Sequence, residues 1–192
     1  MVNIAIFVSG SGTNCENIIK YFHDSSLVNT ALVISNRADA YALVRADKLN
    51  VPSVVLTKKE INSPEAILPI LKQYDIQFIV LAGFLLMIPD FLIEAFPGKI
   101  INLHPALLPK YGGKGMYGHH VHEAVKASGD TITGMTVHYV SPVCDGGDII
   151  AQFSIDVSED DSPEDIARKE NQLEMKYFPG VIEKVICDTF CQ

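Results

Sequence analysis

The sequence predicts an α/β fold with a doubly wound, mostly parallel sheet and an antiparallel edge hairpin. Short apolar runs alternate with amphipathic segments through the first half of the chain, and a glycine-rich turn follows the first apolar run. Near residue 140, two longer alternating segments are joined by a turn rather than by a helix. Short apolar strands separated by crossover helices are typical of a parallel sheet that is covered on both faces.

The elements of the first half follow from their apolar patterns and from the residues that interrupt them. Apolar runs bounded by polar or glycine-containing turns predict buried strands at Asn3–Val8, Ala31–Ser35, Ser53–Leu56, Phe78–Leu81 and Lys99–Leu103. Apolar residues at helical spacing predict crossover helices near Asn14–Phe22, Asp39–Leu49, Pro64–Tyr74 and Pro89–Ala95.

The second half of the chain has a different pattern of apolar residues. Thr131–Val140 and Asp148–Ile155 have the pattern of two longer strands, and the connection SPVCDGG suits a hairpin or bulge better than a crossover. Ser162 precedes a proline and is the predicted N-cap of a last helix. We expect this helix to reach about Val185, with a break near Pro179.

Composition limits the classes of protein that fit. A chain of 192 residues that is 48% hydrophobic and 20% charged predicts a single globular domain over 1–192. The net charge of −8 and the lack of a basic stretch argue against a nucleic-acid partner, and no apolar run has membrane length. No basic, cleavable leader precedes the first strand, so we expect a cytoplasmic protein with small-molecule partners. Monomer and homodimer both stay open.

A glycine-rich turn, SGSGTN, links the first strand to the first helix. Gly10 and Gly12 allow close approach of the backbone, and the exposed amides of Gly12, Thr13 and Asn14 can point at an anion. A dinucleotide fingerprint requires a third glycine where this chain has Cys15, so a phosphate monoester fits better than a dinucleotide. A tight turn without a ligand is the alternative interpretation.

Asn102 and His104 lie at the end of the fifth predicted strand. Ligands of open parallel sheets bind outside the carboxyl ends of the strands, and alternate residues of an extended chain point to the same side. The carboxamide and the imidazole can therefore converge on one atom. An amide N–H stabilises a developing oxyanion, and a histidine exchanges protons near neutral pH. A structural histidine bonded to loop backbone is the alternative.

Asp145 stands before two glycines in the turn between the last two strands. Such an acid often only shapes the turn. Its loop follows a neighbouring strand, however, so the carboxylate could reach His104, favour the protonated ring and orient it. The remaining histidines have structural interpretations: His138 is expected to pack within its strand, and the cluster around His120 has no acid or thiol at metal spacing.

The motifs SGSGTN, INLHPALLPKY and CDGGDII, in this order, resemble the phosphoribosylglycinamide formyltransferase family, and the resemblance runs from residue 3 to about residue 180. It implies a Rossmann-like formyltransferase fold. It also implies transfer of a formyl group from 10-formyltetrahydrofolate, the co-substrate, to the amine of glycinamide ribonucleotide in purine biosynthesis. No metal is implied.

The resemblance also implies roles for the matched residues. Asn102, His104 and Asp145 match the catalytic trio, in which the amide and a protonated imidazole stabilise the oxyanion of a tetrahedral intermediate. The carboxylate keeps the ring charged and assists proton transfer. The positions for the ribonucleotide are occupied by Gly12, Thr13, Asn14 and Glu174. The positions for the folate are occupied by Leu81, Phe84, Leu85, Met87, Val140 and Val143.

The sequence departs from the family pattern at two places. Many members carry a basic residue after G-F-M, where this chain has Leu85 and Leu86. The segment YGGKGMYGHHVH after Lys110 is longer than the compact version of this loop, and its glycine density suggests a mobile flap.

Two other functions compete with ribonucleotide formylation. A 10-formyltetrahydrofolate hydrolase would use the same trio with water in place of the amine, although that family usually carries an additional amino-terminal regulatory domain. A non-catalytic nucleotide-binding module on the same scaffold is a third interpretation, because a fold alone does not fix a function. Such a module has no need of the complete trio.

Overall fold

The computed structural model describes residues 1–191. Within this range, seven strands form a single sheet: β1 Val2–Val8, β2 Val28–Ser35, β3 Ser53–Val55, β4 Phe78–Leu81, β5 Ile100–His104, β6 Ile132–Tyr139 and β7 Ile149–Asp156. The helices are α1 Thr13–Phe22, α2 Tyr41–Lys48, α3 Lys58–Ile61, α4 Pro64–Gln73, α5 Asp90–Ala95, α6 His119–Ser128 and α7 Pro163–Phe190. No helix in the described range is both long and apolar enough to cross a membrane.

The strand order is β3-β2-β1-β4-β5-β6-β7. All pairings from β3 to β5 are parallel, whereas β5 with β6 and β6 with β7 are antiparallel. The predicted fold class is thereby confirmed, including the antiparallel edge hairpin.

Alternation along β1 explains why helices cover both faces of the sheet. Ile4 and Ile6 point into an apolar cluster that contains residues of α1, α2 and α7. Ala5 and Phe7 point into a second cluster with residues of α4 and α5. A strand that is buried on both sides needs apolar residues at every position, which is why its sequence reads as a continuous apolar run.

The last helix differs from its prediction. It runs to Phe190 without a break, and Pro179 lies inside it. Proline removes one helical hydrogen bond and strains the preceding turn, a cost of about 3 kcal/mol. Phe178 and Ile182 on either side are fully buried in the first apolar cluster, and this burial keeps the helix continuous. The short helix α3, which has a capping box at Thr57, was not predicted.

The turn between β1 and α1 requires glycine at one position. Gly12 has φ 75°, in the left-handed region. A Cβ added there would lie 2.4 Å from the Cβ of Ala42 in α2. The amide of Ala42 also donates to the carbonyl of Gly10 at 3.1 Å. The first turn of α1 and the start of α2 are therefore locked together at the end of β1.

Gly12→Ala is expected to destabilise the fold by about 2 kcal/mol or more, because a left-handed alanine costs about 1–2 kcal/mol and the overlap with Ala42 adds to it. Urea unfolding monitored by circular dichroism measures the change. Gly10→Ala is the matched control, since no described atom lies within 4 Å of its added methyl group and its φ is not positive. Equal stabilities of the two variants would contradict this account of the turn.

Candidate active site

A cavity of about 1020 Å³ opens at the carboxyl ends of the parallel strands. Every site residue predicted from the sequence lines it: Asn102, His104, Asp145, Gly12, Thr13, Asn14, Glu174, Leu81, Phe84, Leu85, Met87, Val140 and Val143. The fold therefore brings into one place residues that lie up to 160 positions apart in the sequence, as Asn14 and Glu174 do. Such a crevice is where open α/β sheets bind their ligands.

Asn102 and His138 face each other across the first antiparallel pairing. They are direct partners in the register of β5 and β6, and the carboxamide Nδ2 lies 3.0 Å from the imidazole Nε2. The other ring nitrogen of His138, Nδ1, lies 2.9 Å from the carbonyl oxygen of Tyr139, which can only accept. In the neutral ring Nδ1 therefore carries the proton and Nε2 accepts one N–H of Asn102. The second N–H of this carboxamide stays available.

His104 is the last residue of β5 and is 3% exposed. Its Nε2 donates to the carbonyl oxygen of Tyr111 at 2.8 Å, and its Nδ1 lies 3.6 Å from Asp145 Oδ2. Burial lowers the pKa of His104 below its ordinary value and outweighs the opposing effects of the Asp145 carboxylate and the Tyr111 carbonyl. The Asp145 carboxylate raises the pKa of His104, as predicted from the sequence. Burial lowers this pKa more, so the ring of the free protein favours its neutral form.

Asp145 lies between two imidazoles. Its Oδ1 is 3.6 Å from His138 Nε2, and its Oδ2 accepts the backbone N–H of Gly113 at 2.9 Å. Burial raises the pKa of this carboxyl, but interaction with His138, the Gly113 N–H and the charge of His104 together bring the pKa below its usual value. The turn holds Asp145 at φ 52°, a left-handed conformation that Asp tolerates better than most residues. Its carboxylate is thus directed into the cavity.

The amino end of α1 and the middle of α7 meet at another part of the wall. Asn14 Nδ2 donates to Glu174 Oε2 at 2.7 Å, and Asn171 Nδ2 donates to the same oxygen at 3.2 Å. The first backbone N–H groups of a helix have no partner within the helix. The turn at Gly12 therefore offers unpaired amides and the positive end of the helix dipole to an anion.

The apolar part of the cavity combines a buried floor with an open rim. Leu81 and Phe84 are buried, and Phe84 packs edge-on against Phe7 with ring centroids 5.3 Å apart. The side chains of Leu85, Met87 and Val143 are 51%, 51% and 68% exposed. Exposed apolar side chains at a cavity mouth are typical of a site for a flat apolar ligand.

Two parts of the site were missed or misread from the sequence. His138 is buried as predicted, but it contacts Asn102 and lies beside Asp145, so it also belongs to the site. The position of His138 in a strand antiparallel to β5 could have identified it as a site residue, but only if the register of the two strands had been known. The backbone of the glycine-rich segment was the second omission, since main-chain groups of Tyr111 and Gly113 bond two of the three catalytic candidates, His104 and Asp145.

Comparisons with known proteins agree with this geometry. The formyl transferase family model matches residues 2–182. Phosphoribosylglycinamide formyltransferase of Haemophilus influenzae is 37% identical over 95% of this chain and 86% of its own length. The chloroplastic enzyme of Arabidopsis thaliana is 37% identical over 96% of this chain, which spans 65% of that protein.

Solved structures lead to the same family. The phosphoribosylglycinamide formyltransferase of Anaplasma phagocytophilum superposes with a TM-score of 0.89 at 32% identity, covering 97% of this chain and 87% of that one. The enzyme of Bacillus halodurans gives 0.87 at 33% identity, covering 97% and 96%. Fold and sequence are thus both similar to the same group of transferases. The chain belongs to the formyl transferase family and, within it, to the phosphoribosylglycinamide formyltransferases.

Proposed function

We propose that this transferase moves the formyl group of 10-formyltetrahydrofolate to the amine of glycinamide ribonucleotide, a step of purine biosynthesis. One observation carries the proposal: Asn102, His104 and Asp145 line the same cavity as the amino end of α1. A trio suited to acyl transfer thus shares a site with a turn suited to a phosphate monoester. The relatives are named phosphoribosylglycinamide formyltransferases, which supports formyl transfer to this ribonucleotide.

The cavity divides naturally between the two substrates. The phosphate of the ribonucleotide binds the amides at Gly12, Thr13 and Asn14, and its sugar lies against Glu174. The folate ring system occupies the apolar part around Phe84, where Leu85, Met87 and Val143 surround the mouth. This arrangement brings the amine of one substrate and the formyl carbon of the other to Asn102 and His104.

The transfer forms one C–N bond and breaks another. The ribonucleotide amine attacks the formyl carbon, and the carbonyl oxygen becomes an oxyanion. The free N–H of Asn102 donates to this oxyanion, as does His104 when it is protonated at Nδ1. Collapse of the intermediate breaks the bond to N10 of the folate, which takes up the proton that the amine loses.

The low pKa of His104 decides where this proton comes from. Burial favours the neutral ring in the free enzyme, so the proton that charges His104 is released by the attacking amine. Asp145, 3.6 Å from Nδ1, stabilises the charged ring as it forms and relays the proton toward N10. His104 and Asp145 therefore hold the proton between its release by the amine and its transfer to N10.

Incubation with 10-formyltetrahydrofolate, with and without glycinamide ribonucleotide, tests the function through the absorbance change on deformylation. We expect deformylation that requires the amine, with formylated ribonucleotide as the product. Deformylation without the amine would identify a hydrolase. No deformylation under either condition would identify a binding module, and either result would overturn the proposal.

Asn102→Ala is expected to lower kcat about a hundredfold, because removal of one oxyanion donor typically has an effect of this size. KM for the ribonucleotide should change little, since the donor acts on charge that develops in the transition state. His104→Ala should lose kcat to a similar or larger extent. The control is His120→Ala, an exposed histidine outside the cavity. Wild-type turnover in either cavity variant, with its fold confirmed by circular dichroism, would refute the assigned role.

Met87→Asp is expected to raise KM for the formyl donor about tenfold or more. Burial of a methionine side chain against a ligand contributes about 1.5–3 kcal/mol to binding, and aspartate at this position does not make this contribution. KM for the ribonucleotide should stay within a factor of about two. Val44→Asp on α2 is the matched control: it places a carboxylate at another exposed apolar residue, outside the cavity. An unchanged donor KM in Met87→Asp would move the folate away from this rim.

A further inference from the structure

One wall of the cavity concentrates buried polar atoms that have no hydrogen-bond partner in the described chain. The buried unpartnered side-chain atoms are Asn14 Oδ1, Thr30 Oγ1, His122 Nδ1 and Glu170 Oε1. All except the atom of Thr30 belong to residues that line the cavity, and these come from α1, α6 and α7. A buried polar atom without a partner costs about 1–3 kcal/mol, and native proteins contain few of them. Their concentration at one wall points to a ligand with hydroxyl-like groups.

Glu170 is the most unusual of these residues. It is a carboxylic acid that is 3% exposed and lies one helical turn before Glu174, on the same face of α7. Burial, then the charge of Glu174 and a hydrogen bond to it, raise the pKa of Glu170 well above its usual value. Glu170 therefore favours its neutral form, in which the carboxyl O–H can donate to Glu174. Its other oxygen, Oε1, stays free at the cavity wall.

Among the described residues, no lysine or arginine contributes to lowering the pKa of Glu170. The elements packed against α7 are α1, α6, β6 and β7. Of their titratable side chains, His122 of α6 and His138 of β6 line the cavity, and burial lowers the pKa of His122, so this ring is neutral. Lys114, on the glycine-rich segment, is the single Lys or Arg among the described lining residues.

We propose that Glu170 is a positioning residue for the ribonucleotide, which holds Glu174 in place and, with Asn14 and His122, completes a hydroxyl-binding subsite for the sugar. Glu174 Oε2 then receives hydrogen bonds from both asparagines, and Glu170 supplies a further donor to the same carboxylate. Asn14 Oδ1 and Glu170 Oε1 accept from sugar hydroxyls, whereas His122 Nδ1 can donate or accept. The inference rests on the proposed function for the identity of the sugar phosphate.

Protonation of Glu170 also limits the negative charge of this part of the cavity. Two ionised carboxylates one turn apart would repel each other and would add negative charge beside the site of a phosphate. The neutral acid keeps the donor that Glu174 needs without that charge. Ionisation of Glu170 should therefore weaken binding of a sugar phosphate, and the loss should appear as pH rises through the raised pKa of Glu170.

Titration of ribose 5-phosphate into the protein by calorimetry tests the subsite. Glu170→Leu keeps the volume and removes the polar atoms, and we expect Kd to rise about tenfold, the effect of losing a buried hydrogen-bonded group. KM for the ribonucleotide should rise similarly, with KM for the formyl donor unchanged. Glu170→Gln retains a donor for Glu174 and an acceptor for the ligand, so its Kd should stay within about twofold of wild type at neutral pH.

The pH dependence separates positioning from mere packing. Wild-type affinity should fall as pH rises through the raised pKa of Glu170, whereas Glu170→Gln, which cannot ionise at this position, should not show this fall. The second ionisation of the phosphate, near pH 6, affects both proteins alike, so the difference between their affinities reports Glu170. Glu183→Gln is the control, because it removes an acid of α7 that lies outside the cavity and bonds Tyr21.

Two results would overturn the inference: a folded Glu170→Leu variant with wild-type Kd and KM, or a Glu170→Gln variant as impaired as Glu170→Leu. The assays also distinguish this inference from the proposed function. A wild-type protein that binds ribose 5-phosphate in the expected pattern but transfers no formyl group would refute only the function. Amine-dependent transfer with an unaffected Glu170→Leu variant would refute only the subsite.

Discussion

The site depends on the change from parallel to antiparallel pairing at the β5–β6 boundary. A parallel neighbour would return through a crossover and would place its loop at the same edge only after a further helix. The antiparallel strand β6 instead starts beyond the carboxyl end of β5, where Thr136 pairs with His104, and runs back to Tyr139, which pairs with Ile101. Its register sets His138 opposite Asn102, and the turn that follows carries Asp145 to His104. One change of strand direction thus assembles two imidazoles, a carboxamide and a carboxylate.

Burial governs the electrostatics of this assembly more than any single ion pair does. It lowers the pKa of His104 and of His122 and raises that of Glu170, so each of these groups favours its neutral form. Asp145 is the exception, because two imidazoles and a backbone amide surround it. The cavity therefore presents mostly neutral hydrogen-bonding groups around two carboxylates, Asp145 and Glu174, each of which accepts hydrogen bonds from its surroundings.

The sequence predicted the elements more reliably than their contacts. Periodicity located the strands because buried parallel strands are continuously apolar, and the strand Phe78–Leu81 was predicted to the residue. The catalytic candidates could be placed because alternation puts residues 102 and 104 on one side. Strand alternation does not determine the register between strands, so the pairing of His138 with Asn102 could not be predicted. The continuity of α7 through Pro179 was also hidden, because it depends on the tertiary burial of Phe178 and its neighbours.

The glycine-rich segment contacts two catalytic candidates, His104 and Asp145, through its main chain. The carbonyl of Tyr111 and the amide of Gly113 make the contacts, and neither contact uses a side chain. Every amino acid except proline carries both groups, so the identity of the residues at these two positions is only weakly constrained by the bonds themselves. The number of residues and the path they follow are what matter. Positive φ angles at Tyr111 and Gly113 restrict which residues fit there, and a gain or loss of even one residue would shift both contacts at once.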